Sequence, residues 1–187
     1  VPYKGADMAL EAAAPFIRTG EIRLDLLGDG PERARLEALA RDLEISDGVH
    51  FHGFVPHDRV CSVATACSVL LFPSIREFGG GVVLEAMMMG LVPVVCDYAG
   101  PGELVQRDFG YKIPMGDRPS IIAGLQKVVR KMLEDPARVD AMGRRAHAHV
   151  REHFTWSAKA AQISTVYDWV LGRADKPVPI PDRGAVL

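Results

Sequence analysis

The chain has 187 residues, 48% of them apolar, and a formal net charge of −2. That length and apolar content suffice for one large domain with its own core, while the near-neutral charge argues against a bulk nucleic-acid binder. No apolar run approaches the roughly 18 residues that span a bilayer. Helical and strand patterns then alternate along the chain. Residues 6–17 are Ala-rich and helical, and 22–27 form a strand ending in Gly28-Asp29-Gly30-Pro31. Pro31 suits the first turn of a helix that runs to Leu43. A strand over 49–51, a turn at Gly53 and a helix near 59–66 precede a third strand over 68–72. Residues 81–89 form a helix stopped by Gly90, 92–96 a strand, and 111–113 a smaller strand after Gly100-Pro101-Gly102. Helices over 119–133, 136–153 and 156–171 follow.

Short strands joined by helical crossovers imply an α/β fold with a doubly wound, mostly parallel sheet. Ligands of such sheets bind at the carboxyl ends of the strands. Gly28-Asp29-Gly30, Gly53-Phe54-Val55, residues 74–81 and residues 97–102 all fall at those ends and form the expected binding rim. The domain is expected to cover 1–172, with 173–187 an extended tail or linker because Lys176-Pro177-Val178-Pro179-Ile180-Pro181 cannot continue a helix. Cys61, Cys67 and Cys96 are odd in number and lack CxxC spacing, which reads as reduced thiols of a cytoplasmic protein. No secretory signal is visible, and Val1 in place of an initiator Met carries the expectation that the natural start lies upstream.

The richest stretch is Glu77-Phe78-Gly79-Gly80-Gly81-Val82-Val83-Leu84-Glu85. A strand, a short acidic loop and a helix opening on bare N–H groups make a corner that can hold an anion, while the carboxylates accept from hydroxyls. Gly79, Gly80 and Gly81 let the backbone approach a ligand with no Cβ in the way. Glu85 falls about one turn into the helix, pointing back toward its N-terminus. Phosphate plus hydroxyls describes a sugar nucleotide. The competing reading is a flexible loop with one helix-capping Glu.

The pair Glu77 and Glu85, with Phe72-Pro73-Ser74 ahead and Ala86-Met87 behind, resembles the E-x7-E motif of retaining glycosyltransferases of the GT-B fold, the glycosyl transferases group 1 family. Tyr3-Lys4-Gly5 is similar to the family's Lys-Gly near the start of its C-terminal half, and Leu27-Gly28-Asp29-Gly30-Pro31 to its G-x-G-P turn. Phe51-His52-Gly53-Phe54-Val55 resembles the F-x-G-x-V segment, Val92-Pro93-Val94-Val95 the P-V-V strand, and Arg151-Glu152-His153-Phe154-Thr155-Trp156 the closing helix junction.

The resemblance implies a Rossmann-like donor-binding domain, the C-terminal half of a GT-B enzyme. Lys4 and Glu77 would be its catalytic residues, Lys4 on the donor diphosphate and Glu77 on sugar hydroxyls beside the backbone of Phe78 and Gly79. Glu85 would bind the ribose, and Val55, Pro56 and His57 would lie along the base. Gly28 would sit on the rim, and Gly80 and Gly81 would offer the helix N-terminus to the diphosphate. The donor would be a nucleotide-diphosphate sugar of the UDP or GDP type, with a hexosyl group passed to a sugar, lipid or other acceptor with retention of configuration. No metal or cofactor is expected, since the chain has no D-x-D. Two departures are visible. The loop reads Glu77-Phe78-Gly79-Gly80-Gly81 where the family commonly has Glu-Gly-Phe-Gly-Leu. The family's phosphate-binding Arg, its first strand and its N-terminal acceptor domain would fall ahead of Val1, so the chain is expected to bind nucleotide yet be inactive alone.

Other signals rank lower. His149-Val150-Arg151-Glu152-His153 spells an inverted zinc-protease motif but reads as a solvated helix end. His50 and His52 share a strand face and read as partly buried near the base pocket. Gly28-Asp29-Gly30-Pro31-Glu32-Arg33 begins like a dinucleotide fingerprint, with Arg33 where the third glycine belongs. That counts against the rival oxidoreductase reading. A non-catalytic nucleotide-binding module is the second alternative. Arg144-Arg145 and nearby histidines read as a solvated face, with peripheral membrane contact by a full-length enzyme as the other reading.

Overall fold

The computed structural model describes residues 1–178. The predicted alternation is present: α1 (Ala6–Arg18), β1 (Leu24–Leu27), α2 (Arg33–Asp42), β2 (Val49–Gly53), α3 (His57–Ala64), β3 (Val69–Phe72), α4 (Gly81–Met88), β4 (Val92–Cys96), α5 (Ala99–Leu104), β5 (Tyr111–Ile113), α6 (Arg118–Glu134), α7 (Pro136–His153) and α8 (Trp156–Val170). Three of the differences from the expected elements have local reasons. Pro31 stays in the turn ahead of α2, because Gly30 there is in an extended, positive-φ conformation and the Arg33 N–H bonds back to its carbonyl (3.1 Å). The helix after β2 starts two residues earlier than expected, on Pro56. Residues 99–104, read as loop, wind into a short helix. The α6, α7 and α8 starts follow side-chain caps: Asp117 accepts from Ser120 N–H, Asp135 from Arg138 N–H and Thr155 from Ala158 N–H. Residues 173–178 form neither helix nor strand; the remainder of the expected tail lies outside the described residues.

All strand pairs are parallel. β1 pairs with β2, Leu26 opposite Phe51, and β4 pairs with both β3 and β5, Val94 facing Leu71 and Tyr111. The ladders form two sets, β1–β2 and β3–β4–β5, where the sequence suggested one sheet. β1 and β3 each keep one edge unpaired, and α1 packs against both of them. β4 is buried along its whole length, whereas β3, equally apolar in sequence, is only half-buried.

Helices cover both faces. On one, Met8, Ala12 and Phe16 of α1 and Ile121, Leu125 and Val129 of α6 meet Val92, Val94 and Cys96. On the other, Val83 and Met87 of α4 and Ala146 and Val150 of α7 meet Val95. The period of two along β4 divides its side chains between these cores. Leu10, Ala13 and Ile17 carry α1 onward over Ala40 and Val49, so one helix spans the two strand sets. Arg118 pins α6 to α1 through Asp7 and Glu11 at 2.8–2.9 Å.

Candidate functional site

Pro2–Lys4 is a single tight turn closed by Gly5 in the left-handed region, φ 73°. A Cβ at Gly5 would lie 2.4 Å from the Pro73 carbonyl oxygen, so only glycine allows this approach. Around that contact the Tyr3 carbonyl accepts from the Ile75 N–H at 3.0 Å and from the buried Ser74 hydroxyl at 3.2 Å. The N-terminal turn is thereby fastened to the loop after β3, which delivers Lys4 to Glu77. Lys4 Nζ and Glu77 Oε2 form a short, charge-assisted pair. The ammonium also stands 5.4 Å from the centre of the Phe72 ring, within cation–π range.

Glu77 is held on a second side. Its Oε1 accepts from the Phe78 N–H at 3.2 Å. The Lys4 hydrogen bond, aided by the Phe78 and Gly80 N–H groups, holds the Glu77 carboxyl below its usual range although desolvation opposes this. Gly80 caps α4 in the left-handed region, φ 66°, where a Cβ would press on Pro101 at 3.0 Å. The Phe78 carbonyl accepts from Gly100 N–H at 3.0 Å, so the start of α5 braces the loop. A Cβ at Gly79 or Gly81 would meet nothing within 4 Å. The glycine loop is therefore anchored at Phe78 and Gly80 and open beside them. The positive end of the α4 dipole reaches that opening.

Gly28 follows β1, and its N–H donates to the Gly53 carbonyl at 2.8 Å, joining two of the expected rim loops. A cleft of about 270 Å³ separates Lys4 from Gly28, Asp29 and Gly30. Arg33 also borders the cleft, but its guanidinium is committed: it donates to Glu37 at 2.8 Å and to the Phe51 carbonyl at 3.3 Å. Glu85 is exposed on α4, and Val55, half-buried, leads to exposed Pro56 and His57 at the start of α3. No hydrogen bond or ion pair among the described residues ties Glu85 or the Val55–Pro56–His57 loop to Lys4 or Glu77. The structure thus unites Lys4, Glu77, Phe78 and Gly80, and sets Gly28 across the cleft.

Two features were not singled out from sequence. Ser74, the one buried polar side chain among the described residues, holds the Lys4 turn in place. Asp25, a charge inside an apolar strand, accepts from or pairs with His52 at 2.7 Å and sits 3.7 Å from His50. Its lone charge in Leu24-Asp25-Leu26-Leu27 was the available signal. The two histidines therefore flank a carboxylate, His50 largely exposed. His149 stacks 4.7 Å from Phe109 and 4.8 Å from His153, as part of an aromatic cluster.

The "Glycosyl transferases group 1" family model matches residues 1–149. The chain is 33% identical over 171 residues to the 2-deoxystreptamine glucosyltransferase of Streptomyces kanamyceticus, covering 91% of this chain and 43% of that protein. It is 32% identical to the N-acetyl-alpha-D-glucosaminyl L-malate synthase of Bacillus anthracis, covering 89% and 42%. The chain thus spans less than half the length of these relatives. Among solved structures, sucrose-phosphate synthase from Thermosynechococcus elongatus superposes with a TM-score of 0.74 at 25% identity, covering 93% of this chain and 44% of that one. Anabaena HepE in complex with UDP-glucose shares the fold, with a TM-score of 0.75 at 23% identity and coverage of 90% and 46%. The chain thus belongs to the glycosyl transferases group 1 family, and its parallel strands flanked by helices match one half of GT-B glycosyltransferase structures.

Proposed function

We propose that this chain is the donor-binding half of a retaining hexosyltransferase and takes a nucleotide-diphosphate sugar, of the UDP or GDP type, at the Lys4–Glu77 corner. The observation that carries this reading is a cation, a carboxylate and a helix N-terminus converging beside an open glycine loop at the carboxyl edge of a parallel sheet. Lys4 and the α4 N-terminus offset the charge that develops on the leaving diphosphate, an electrostatic role that needs no proton transfer. Glu77 accepts from sugar hydroxyls. Glu85 accepts from the ribose, and Val55, Pro56 and His57 flank the base. UDP is the first donor base to test, because HepE is a fold neighbour solved with UDP-glucose.

Transfer with retention needs the acceptor on the face from which the diphosphate departs. The acceptor surface belongs to a separate N-terminal domain, so the chain alone binds donor without turning it over. The unpaired edges of β1 and β3, with α1 packed on both, match one further parallel strand between them as part of the same domain. Thermal-shift titration with UDP, GDP, ADP and their glucose conjugates, and NAD as the control, tests the reading. A rise in Tm with a nucleoside diphosphate and none with NAD is expected. No shift with any diphosphate, or a preference for NAD, refutes it.

A further inference from the structure

We propose that Glu77 acts as an internal anion that guards the diphosphate subsite, so that the site prefers the sugar conjugate to the bare nucleoside diphosphate. The inference rests on the donor-site reading above and concerns how that site distinguishes donor from spent product. Glu77 already occupies the cation an incoming phosphate needs: one carboxylate oxygen is on Lys4 Nζ, while the Phe78 N–H holds the other. Any diphosphate must therefore share Lys4 with Glu77 or displace it.

The two ligands meet this obstacle differently. A bare nucleoside diphosphate ends in a phosphate carrying about −1.5 to −2 charge near neutral pH. Once glycosylated, that phosphate keeps a single charge and is followed by a ring of hydroxyl donors. Repulsion by Glu77 is thus greatest for the bare nucleotide, and only the conjugate can repay displacement of Glu77 with hydrogen bonds to its carboxylate. Lys4 can turn between the two anions because its side chain is 40% exposed, whereas Glu77, at 17%, is the enclosed partner. When the sugar leaves, Glu77 returns to Lys4 and weakens the hold on the product.

The test is calorimetric titration of the chain with UDP against UDP-glucose and GDP against GDP-glucose, for wild type, Glu77→Gln and Lys4→Met, with far-UV circular dichroism to check folding. For an assumed separation of about 6 Å between the Glu77 carboxylate and the terminal phosphate, removing that charge should tighten bare nucleotide roughly fivefold at low salt. Glu77→Gln should weaken the conjugate at the same time, reversing the preference. The gain for bare nucleotide should shrink as salt is raised. Lys4→Met should weaken both ligands. If wild type binds a diphosphate and folded Glu77→Gln binds it no better, the guard role is wrong while the donor site stands. If wild type binds neither member of either pair, the donor-site reading fails and this inference with it.

Discussion

Gly5→Ala isolates the contact on which the proposed site is built. Two penalties are readable from the backbone. The left-handed conformation at φ 73° costs an L-residue about 1–2 kcal/mol. The new Cβ would also sit 2.4 Å from the Pro73 carbonyl oxygen and 2.9 Å from the Met8 side-chain terminus. Relieving that overlap requires the backbone to move, at about 1–3 kcal/mol. Together these come to roughly 3 kcal/mol, or ~6–12 °C in Tm for a domain of this size. Gly20→Ala supplies the matched control. Gly20 has nearly the same φ, 75°, but an added Cβ there would meet nothing within 4 Å. It should lose only the conformational part, about 1–2 kcal/mol. Urea denaturation of both variants, with unchanged m-values, measures the difference. Nucleotide titration should show Gly5→Ala weakened because Lys4 is displaced from the diphosphate subsite, with Gly20→Ala unaffected. Equal destabilisation by the two substitutions, or intact nucleotide binding in Gly5→Ala, refutes the argument that close packing on Pro73 positions Lys4.

Other expectations follow from single groups. Ser74→Ala should lower stability by about 0.5–1.5 kcal/mol, the worth of a typical intramolecular hydrogen bond, in the same urea assay. Glu85→Ala should leave Tm unchanged, since its carboxylate is exposed and without an ion partner among the described residues, yet reduce nucleotide affinity by about tenfold or more in calorimetry. Loss of stability with unchanged affinity would remove Glu85 from the site. The Glu77 carboxyl titrates below its unfolded value because of Lys4, so its contribution is full above the ordinary carboxylate range and disappears as pH falls through the lowered value. The stability gap between wild type and Glu77→Gln should accordingly be constant near neutrality and close on acidification; a gap that widens toward acid contradicts the pairing. Burial pushes the Cys96 thiol up to about 11, whereas Cys61 is exposed. Iodoacetamide at pH 8 should label Cys61 in the folded chain and Cys96 only after denaturation, read by mass spectrometry.

Much of the site was legible because its chemistry is local in sequence. Glu77, the glycine triplet and Glu85 lie within one loop and one helix turn, and Gly90 marks a helix end by capping rules that act over a few residues. The places where the sequence misled are those where distant segments decide. Residues 99–104 looked like a Gly-Pro loop, yet they wind into a helix that packs against Gly80 and bonds to Phe78. Arg33 registered only as a missing glycine, whereas its guanidinium clasps the end of β2. The strands read as one sheet, but pairing depends on which edges come within hydrogen-bonding reach, and β1 and β3 do not.

The sequence alone determined the alternation of strands and helices, the edge on which the glycine loops gather and the residue types of a phosphate-and-hydroxyl site. Those properties follow from hydrophobic period, turn chemistry and short-range caps. Only the tertiary structure decided that Lys4 and Glu77, 73 residues apart, hold one another. Their pairing arises from the Gly5–Pro73 approach and the Ser74 and Ile75 bonds to Tyr3, contacts between segments far apart in the chain. A sequence pattern can name a cation and a carboxylate. It takes the packed backbone to show that the two are paired.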